Sequence, residues 1–168
     1  MRRTSRGEFA EILYYWATKD LHEGKVNESA RDLGFEIKSD EDLDKIFSEL
    51  LILNMYLTVM TAEMVFADED KRNDYLDLLH HLVYDRHFAV TELDFHDWMR
   101  LMGTRYLEYQ KAGESQHPPG PIWELAKAFN RNLFGEVRES IIIQWKIGGH
   151  IGLFLEHLRE LILQYEVE

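Results

Sequence analysis

Four aspartates on two neighbouring segments are the residues of this sequence best placed to do chemistry. Asp74 and Asp77 are three residues apart, and so are Asp94 and Asp97. Carboxylates at positions i and i+3 share one face of a helix, and two antiparallel helices would bring the two pairs together. Magnesium prefers oxygen ligands of this kind. The spacing therefore predicts a candidate divalent-metal site.

Two histidines lie close to these aspartates in the sequence. His81 follows Asp77 by four residues, and His96 immediately precedes Asp97. Imidazole and carboxylate ligands together suit transition metals and can activate a bound water for hydrolysis. One hypothesis is therefore a metal-dependent hydrolase whose site consists of Asp74, Asp77, His81, Asp94, His96 and Asp97.

The motif Asp74-x-x-Asp77 with Asp94-x-x-Asp97 resembles the paired acidic motifs of the all-α nucleotide pyrophosphatases over about 25 residues. The resemblance implies an all-α fold, a divalent metal and hydrolysis of a nucleotide phosphate. That family uses glutamates heavily, whereas all four positions here are aspartates.

The same residues also have ordinary structural explanations. Asp74 and Asp77 fall in the first turns of a helix, where the helix dipole favours negative charge. Asp94 stands three residues after Thr91, the spacing of a capping box. Histidines are more often hydrogen-bonded residues on the flanks of buried stripes than metal ligands. We favour these explanations and expect no cofactor.

Other enzyme classes are excluded by missing residues. Ferritin-like di-iron proteins need Glu-x-x-His on two helices, and the match here, Glu114 to His117, falls in a proline-rich segment. The His96-Asp97 pair resembles the dyad of HD-domain phosphohydrolases, but no aspartate follows Asp97 to complete such a site. The chain also lacks cysteine and a Gly-x-Ser-x-Gly motif, which excludes those nucleophiles.

Apolar residues recur at helical spacing along almost the whole chain, and no alternating run typical of a strand is present. Ser5 with Glu8 forms a capping box before the first helical segment. Residues 113–121, which are rich in proline and glycine, predict a loop. We therefore predict a single all-α domain over residues 1–168, a bundle of six or seven helices with a long central helix at about residues 40–67.

Three glycines interrupt the last apolar segment, which begins at Val137. Gly148 and Gly152 are four residues apart on one helix face, and Gly149 lies beside them. Small residues let a second helix approach closely. We predict close helix packing at Gly148, Gly149 and Gly152, with a kink or break at the Gly148-Gly149 pair.

Glu63 is surrounded in the sequence by apolar residues of the predicted central helix. A buried carboxylate needs a partner or a raised pKa. We predict that Glu63 is buried and forms a salt bridge with an arginine.

Charge and length exclude two kinds of partner. The chain carries a formal net charge of −12, and residues 20–70 hold fourteen acidic and four basic residues. Such a charge repels phosphate backbones, so we expect no nucleic-acid ligand. The apolar stretch at residues 141–155 contains a lysine and a histidine and is shorter than the roughly 20 residues that span a membrane, so no membrane contact is expected.

The first residues include three arginines but no apolar signal segment, and cysteine is absent, which favours the cytoplasm. The best hypothesis for function is a non-enzymatic helical protein that acts through protein contacts, either with another protein or as a homodimer. Four aromatic residues outside the main apolar stripes are predicted to be exposed and to serve such contacts: Tyr14, Tyr15, Tyr109 and Trp123.

Overall fold

The chain folds into helices joined by short connections. A computed structural model describes residues 1–22, 24–135 and 140–168. In chain order the elements are β1 (Arg2–Thr4), α1 (Arg6–Thr18), α2 (Lys25–Asp32), α3 (Asp40–Val65), α4 (Glu69–Val83), α5 (Phe95–Gly113), α6 (Pro121–Phe134), α7 (Ile141–Ile162) and β2 (Tyr165–Val167). Seven α-helices over these residues confirm the predicted all-α bundle.

The long helix α3 lies at the centre of the bundle and contacts each of the other six helices. Every residue from Glu49 to Thr58 is buried, because helices pack against α3 on all sides. By length and composition alone α3 could cross a membrane, but 72% of its most apolar window is buried inside the protein. Its apolar surface is thus accounted for by the core of the fold.

Side-chain caps fix where most of these helices begin. Ser5 and Glu8 form the predicted capping box of α1, and the Ser39 hydroxyl accepts from the Asp42 amide at the start of α3. The cap of α5 differs from the prediction, because it is Asp94 and not Thr91 that accepts from the amide three residues on. Thr91 instead donates to the Phe88 carbonyl and closes a turn before the helix.

The packing of α4 and α5 also differs from the prediction. They were expected to lie side by side, but α4 packs chiefly against α1, and α5 packs chiefly against α6. A π-helical turn, Tyr84–Phe88, follows α4, and residues 89–94 then lead the chain to a new direction before α5. The two helices meet through a few side chains, such as His80 with Tyr106 and His81 with Phe95.

The last helix is continuous. α7 runs from Ile141 to Ile162 without the break predicted at Gly148-Gly149, because its buried stripe packs against α3 and α6. Val137, the predicted start of this segment, lies outside the described residues. The predicted loop at residues 113–121 is shorter at both ends, since α5 includes Gly113 and α6 begins at Pro121.

The two ends of the described chain pair as a short parallel sheet. Arg2, Arg3 and Thr4 of β1 align with Tyr165, Glu166 and Val167 of β2. Three residues are too few to show the alternation by which a strand is recognised in a sequence. The sheet holds the start of α1 beside the end of α7.

Candidate functional site

The predicted acidic site is divided between separate contacts. Asp74 forms an ion pair with Arg6 of α1, while Asp77 is exposed three residues further along α4. Asp94 caps α5 with its side chain, and Asp97 pairs with Arg100, whose Nη1 lies 2.8 Å from Asp97 Oδ1. Arg6 belongs to α1, the main packing partner of α4, so Asp74 faces α1 and not α5.

The two predicted histidine ligands are also apart from this set. The His81 ring stacks on Phe95 with 4.4 Å between ring centroids, and His96 is exposed. All six predicted ligands are described, and within the described ranges no three histidine, aspartate or glutamate residues form a group that could hold a metal ion. The metal-dependent hydrolase stays a prediction to which this geometry adds no support.

The buried glutamate of the central helix is Glu49, whereas Glu63 is exposed. Arg105 of α5 donates through Nη2 to Glu49 Oε1 at 2.9 Å and through Nε to Glu49 Oε2 at 3.3 Å. The prediction for Glu63 was wrong because Glu63 lies in the last turn of α3, beyond the region that other helices cover. A buried ion pair with arginine does exist, but it is formed by Glu49, fourteen positions before Glu63 and on nearly the same face of α3.

A chain of hydrogen bonds links α1, α3 and α7 around the half-buried His150. Asn54 of α3 donates through Nδ2 to the Ala17 carbonyl, and its Oδ1 lies 2.9 Å from His150 Nε2. Because an amide oxygen can only accept, His150 carries its proton on Nε2. Burial lowers the pKa of His150, against the smaller opposite effect of Asp20. The histidine is therefore neutral at pH 7 and acts as a packing element.

His80 is buried and is held by hydrogen bonds at both of its ring nitrogens. His80 of α4 donates from Nδ1 to the Leu76 carbonyl at 2.7 Å, and its Nε2 accepts from the Tyr106 hydroxyl at 3.0 Å. Burial lowers the pKa of His80 more than the Leu76 bond and the charge of Asp77 raise it. His80 joins α4 to α5 and supports the structural explanation of the histidines.

The predicted glycine packing is found in part of the cluster. A methyl group placed on Gly148 would lie 3.5 Å from Ile122 of α6, in ordinary contact distance. Methyl groups at Gly149 or Gly152 would have no neighbouring atom within 4 Å, so none of the described helices approaches them closely. Gly149 is exposed, and these two positions lie open to solvent rather than against a neighbour.

Large apolar side chains occupy the same solvent-facing side of α7. Ile141, Ile142, Trp145 and Leu153 are exposed by 72%, 69%, 77% and 57%. With Gly149 they form one stripe, which we call the α7 outer face, opposite the buried stripe of the helix. Pro119, Ile122 and Trp123 continue it as a groove of about 390 Å³ beside Trp145.

The exposed aromatic residues were predicted only in part. Tyr15 is exposed and Trp123 is partly exposed, but Tyr14 and Tyr109 are buried. Tyr14 packs on His87, whose Nε2 lies 2.9 Å from the Tyr14 hydroxyl, and Tyr109 packs on Tyr56 of α3. Trp145 shares helical spacing with Ile141, and both lie on the outer side of α7.

The fold and this surface define the chain as an all-α helical bundle with an uncovered apolar helix face. No family model matches the chain, and neither a curated protein nor a solved structure is significantly similar to it. The α7 outer face and the groove beside Trp145 are therefore the surface on which a proposal for function can rest.

Proposed function

We propose that this protein is a non-enzymatic module of the cytoplasm that acts through protein contacts, and that its α7 outer face binds a second copy of the chain. One observation carries the proposal: four large apolar side chains lie on the solvent side of a helix whose opposite side already fills the core. Contiguous exposed apolar patches mark interaction surfaces. Tryptophan in particular is enriched at the energetic centre of interfaces.

Charge favours a second copy at this face. The chain has a formal charge of −12, so two copies repel each other over most of their surfaces. From Ser140 to Leu155 the sequence contains no acidic residue, and Lys146 is the one charged side chain there at pH 7. Because α7 carries no acidic residue over this length, two copies that meet through α7 repel each other less than copies that meet through other surfaces.

The order of residues on the α7 outer face suits a two-fold crossing. Gly149 stands midway between Trp145 and Leu153, four residues from each. In an antiparallel crossing at Gly149, Trp145 of one copy packs beside the partner's Leu153, and the same contact repeats on the other side of the axis. The open space at Gly149 lets the two helices approach closely.

The direct test is the mass of the protein in solution, measured by light scattering over a range of concentrations. We expect a mass of twice the 20.0 kDa chain, falling to that of a single chain in Trp145→Glu. Tyr15→Ala removes an equally exposed aromatic residue from another surface and should leave the dimer intact. A wild-type protein that stays monomeric up to about 100 µM would overturn the proposal.

The absence of cysteine offers a second test of the geometry. Gly149→Cys places one thiol at the proposed axis, where the two copies should form a disulfide under mild oxidation. Leu107→Cys, on the exposed side of α5, is the matched control and should remain monomeric in a denaturing gel. Equal cross-linking of both variants would show random collision and contradict the crossing.

A further inference from the structure

Two buried hydrogen-bond donors on α4 have no acceptor within the described part of the chain. They are the hydroxyl of Tyr75 and the Nε of Arg72. Tyr75 is 1% exposed, and the Arg72 side chain is 15% exposed. Buried donors are paired in the great majority of cases, so two unpaired donors close together point to a missing acceptor.

Both residues line the same cavity, a space of about 390 Å³ between the start of α4 and the end of α7. Its remaining wall is largely apolar and includes Phe66, Ile162, Leu163 and Val167. Burial raises the pKa of the Tyr75 hydroxyl, and the nearby charge of Arg72 opposes that effect. The negative charge of Asp68 adds to the effect of burial. Arg72 and Tyr75 stand three residues apart on α4, which places them on one face of the helix, and both line the cavity.

Four charged side chains line this cavity, the bases Lys71 and Arg72 and the acids Asp68 and Glu166. Its two acidic residues have their own partners, because Asp68 caps α4 by accepting from the Lys71 amide and Glu166 pairs with Arg3 at 3.7 Å. The Lys71 side chain makes no ion pair with a described residue, and Arg72 reaches Glu69 only at 3.8 Å through Nη2. An anion entering the cavity therefore meets two cations, while the Asp68 and Glu166 carboxylates beside them are engaged by the Lys71 amide and by Arg3.

We propose that this cavity, which we call the Tyr75 cavity, binds a small carboxylate with an aliphatic tail. One carboxylate oxygen accepts from the Tyr75 hydroxyl and the other from Arg72 Nε, so that both unpaired donors are satisfied together. The tail packs against Phe66, Ile162 and Leu163. The site shares no side chain with the α7 outer face and does not depend on dimer formation.

Ligands of the same length but different head groups separate this proposal from simple filling of an apolar cavity. An alcohol offers one weaker acceptor, and an alkylammonium ion offers none while adding a third positive charge. We therefore expect sodium octanoate to bind at least about tenfold more tightly than octan-1-ol, which lacks the charge-assisted hydrogen bonds. Octylammonium should not bind.

Isothermal titration calorimetry on the full chain, with octanoate as the probe, tests the two donors one at a time. Tyr75→Phe should weaken octanoate binding roughly tenfold or more, and Arg72→Met should weaken it by at least as much. Tyr15→Phe, a hydroxyl deletion on another surface, should leave the affinity unchanged. Each methylene from butanoate to octanoate should strengthen binding roughly threefold to fourfold, until the cavity is full.

Tyr75→Phe keeps the ring contacts with Phe9 and Phe66 and removes only an unpaired hydroxyl, so it should fold at least as stably as the wild type. Its thermal midpoint is recorded beside each titration. Three results would each overturn the proposal: no saturable binding of octanoate by the wild type, equal binding of octanoate and octan-1-ol, or an octanoate affinity that Tyr75→Phe does not change.

Discussion

Glu49 of α3 and Arg105 of α5 form the most buried ion pair of the described residues, with side chains exposed by 9% and 20%. Burial alone would lower the pKa of Arg105, but the hydrogen bonds and the charge of Glu49 raise it above its ordinary value. The two donors of one guanidinium face the two oxygens of one carboxylate. This forked geometry fixes the position of α5 on the central helix.

We expect Glu49→Leu to destabilise the protein by about 2–4 kcal/mol, because it leaves the largely buried Arg105 charge with only the longer, half-exposed contact to Glu108. Urea unfolding followed by circular dichroism measures the loss. Asp97→Asn breaks the exposed pair with Arg100 and should cost less than about 1 kcal/mol. The double variant Glu49→Leu/Arg105→Leu should recover much of the stability; a double variant no more stable than Glu49→Leu would contradict this account.

The same ion pair shows what the sequence could and could not predict. Helical periodicity predicted the helices, and the capping box of Ser5 and Glu8 marked where the first of them begins. Periodicity gives the face of a residue on its own helix but not which neighbour covers that face. Glu49 and Glu63 both stand among apolar residues of α3. Glu49 is the buried one because α5 packs beside it and supplies Arg105, whereas Glu63 is exposed in the last turn of α3.

The candidate surface was missed for the same reason. Ile141 and Trp145 repeat at helical spacing, as do Ile147 and Ile151 of the core. Because α7 carries apolar residues around most of its circumference, spacing alone cannot distinguish the stripe that packs on α3 from the one that faces solvent. Likewise the aspartate pairs suggested a shared cleft only on the assumption that α4 and α5 are neighbours, and α4 instead packs on α1.

Stability should fall as the pH drops below about 6.5, the ordinary pKa of histidine. Burial lowers the pKa values of His80 and His150 in the folded state, so the unfolded chain takes up protons first and is stabilised. The loss is absent above pH 6.5 and grows by up to about 1.4 kcal/mol per pH unit for each histidine, until its folded-state pKa is reached.

Urea unfolding at pH 7.5 and at pH 5.5 measures this dependence. His150→Gln should reduce the difference between the two pH values, since glutamine does not titrate. His96→Gln alters an exposed histidine and should leave the difference unchanged. A wild-type protein that is equally stable at both pH values would contradict this account, because it would mean that His80 and His150 bind protons equally well in the folded and unfolded states.

The structure and the sequence pattern assign the cap of α5 to different residues, Asp94 and Thr91. Asp94→Ala should cost about 1 kcal/mol, because the Asp97 amide loses its acceptor and the dipole loses a negative charge. Thr91→Val, the residue that the sequence pattern marks as the cap, should cost less than Asp94→Ala. Thermal unfolding of the two variants orders them; the reverse order would favour a capping box at Thr91.

Asn54 is the residue through which three helices are joined by hydrogen bonds. Asn54→Leu fills the same space but leaves the Ala17 carbonyl and the His150 Nε2 proton without partners in the core. Two buried groups left unsatisfied should together cost about 2–4 kcal/mol. Thr104→Val, at an exposed position whose hydroxyl bonds only within its own helix, is a control that should cost far less.

The Asn54 prediction also has a spectroscopic readout that separates the hydrogen bonds from packing. In the wild type, nitrogen-15 spectra of the His150 ring should show the proton on Nε2 at pH 7, because Asn54 Oδ1 accepts it. In Asn54→Leu nothing fixes the proton, so the two ring nitrogens should shift toward a mixture of tautomers. Suppose that the variant keeps the Nε2 proton and loses little stability. The Asn54 side chain would then contribute only packing against α7, and its hydrogen bond to His150 would not stabilise the contact between the helices.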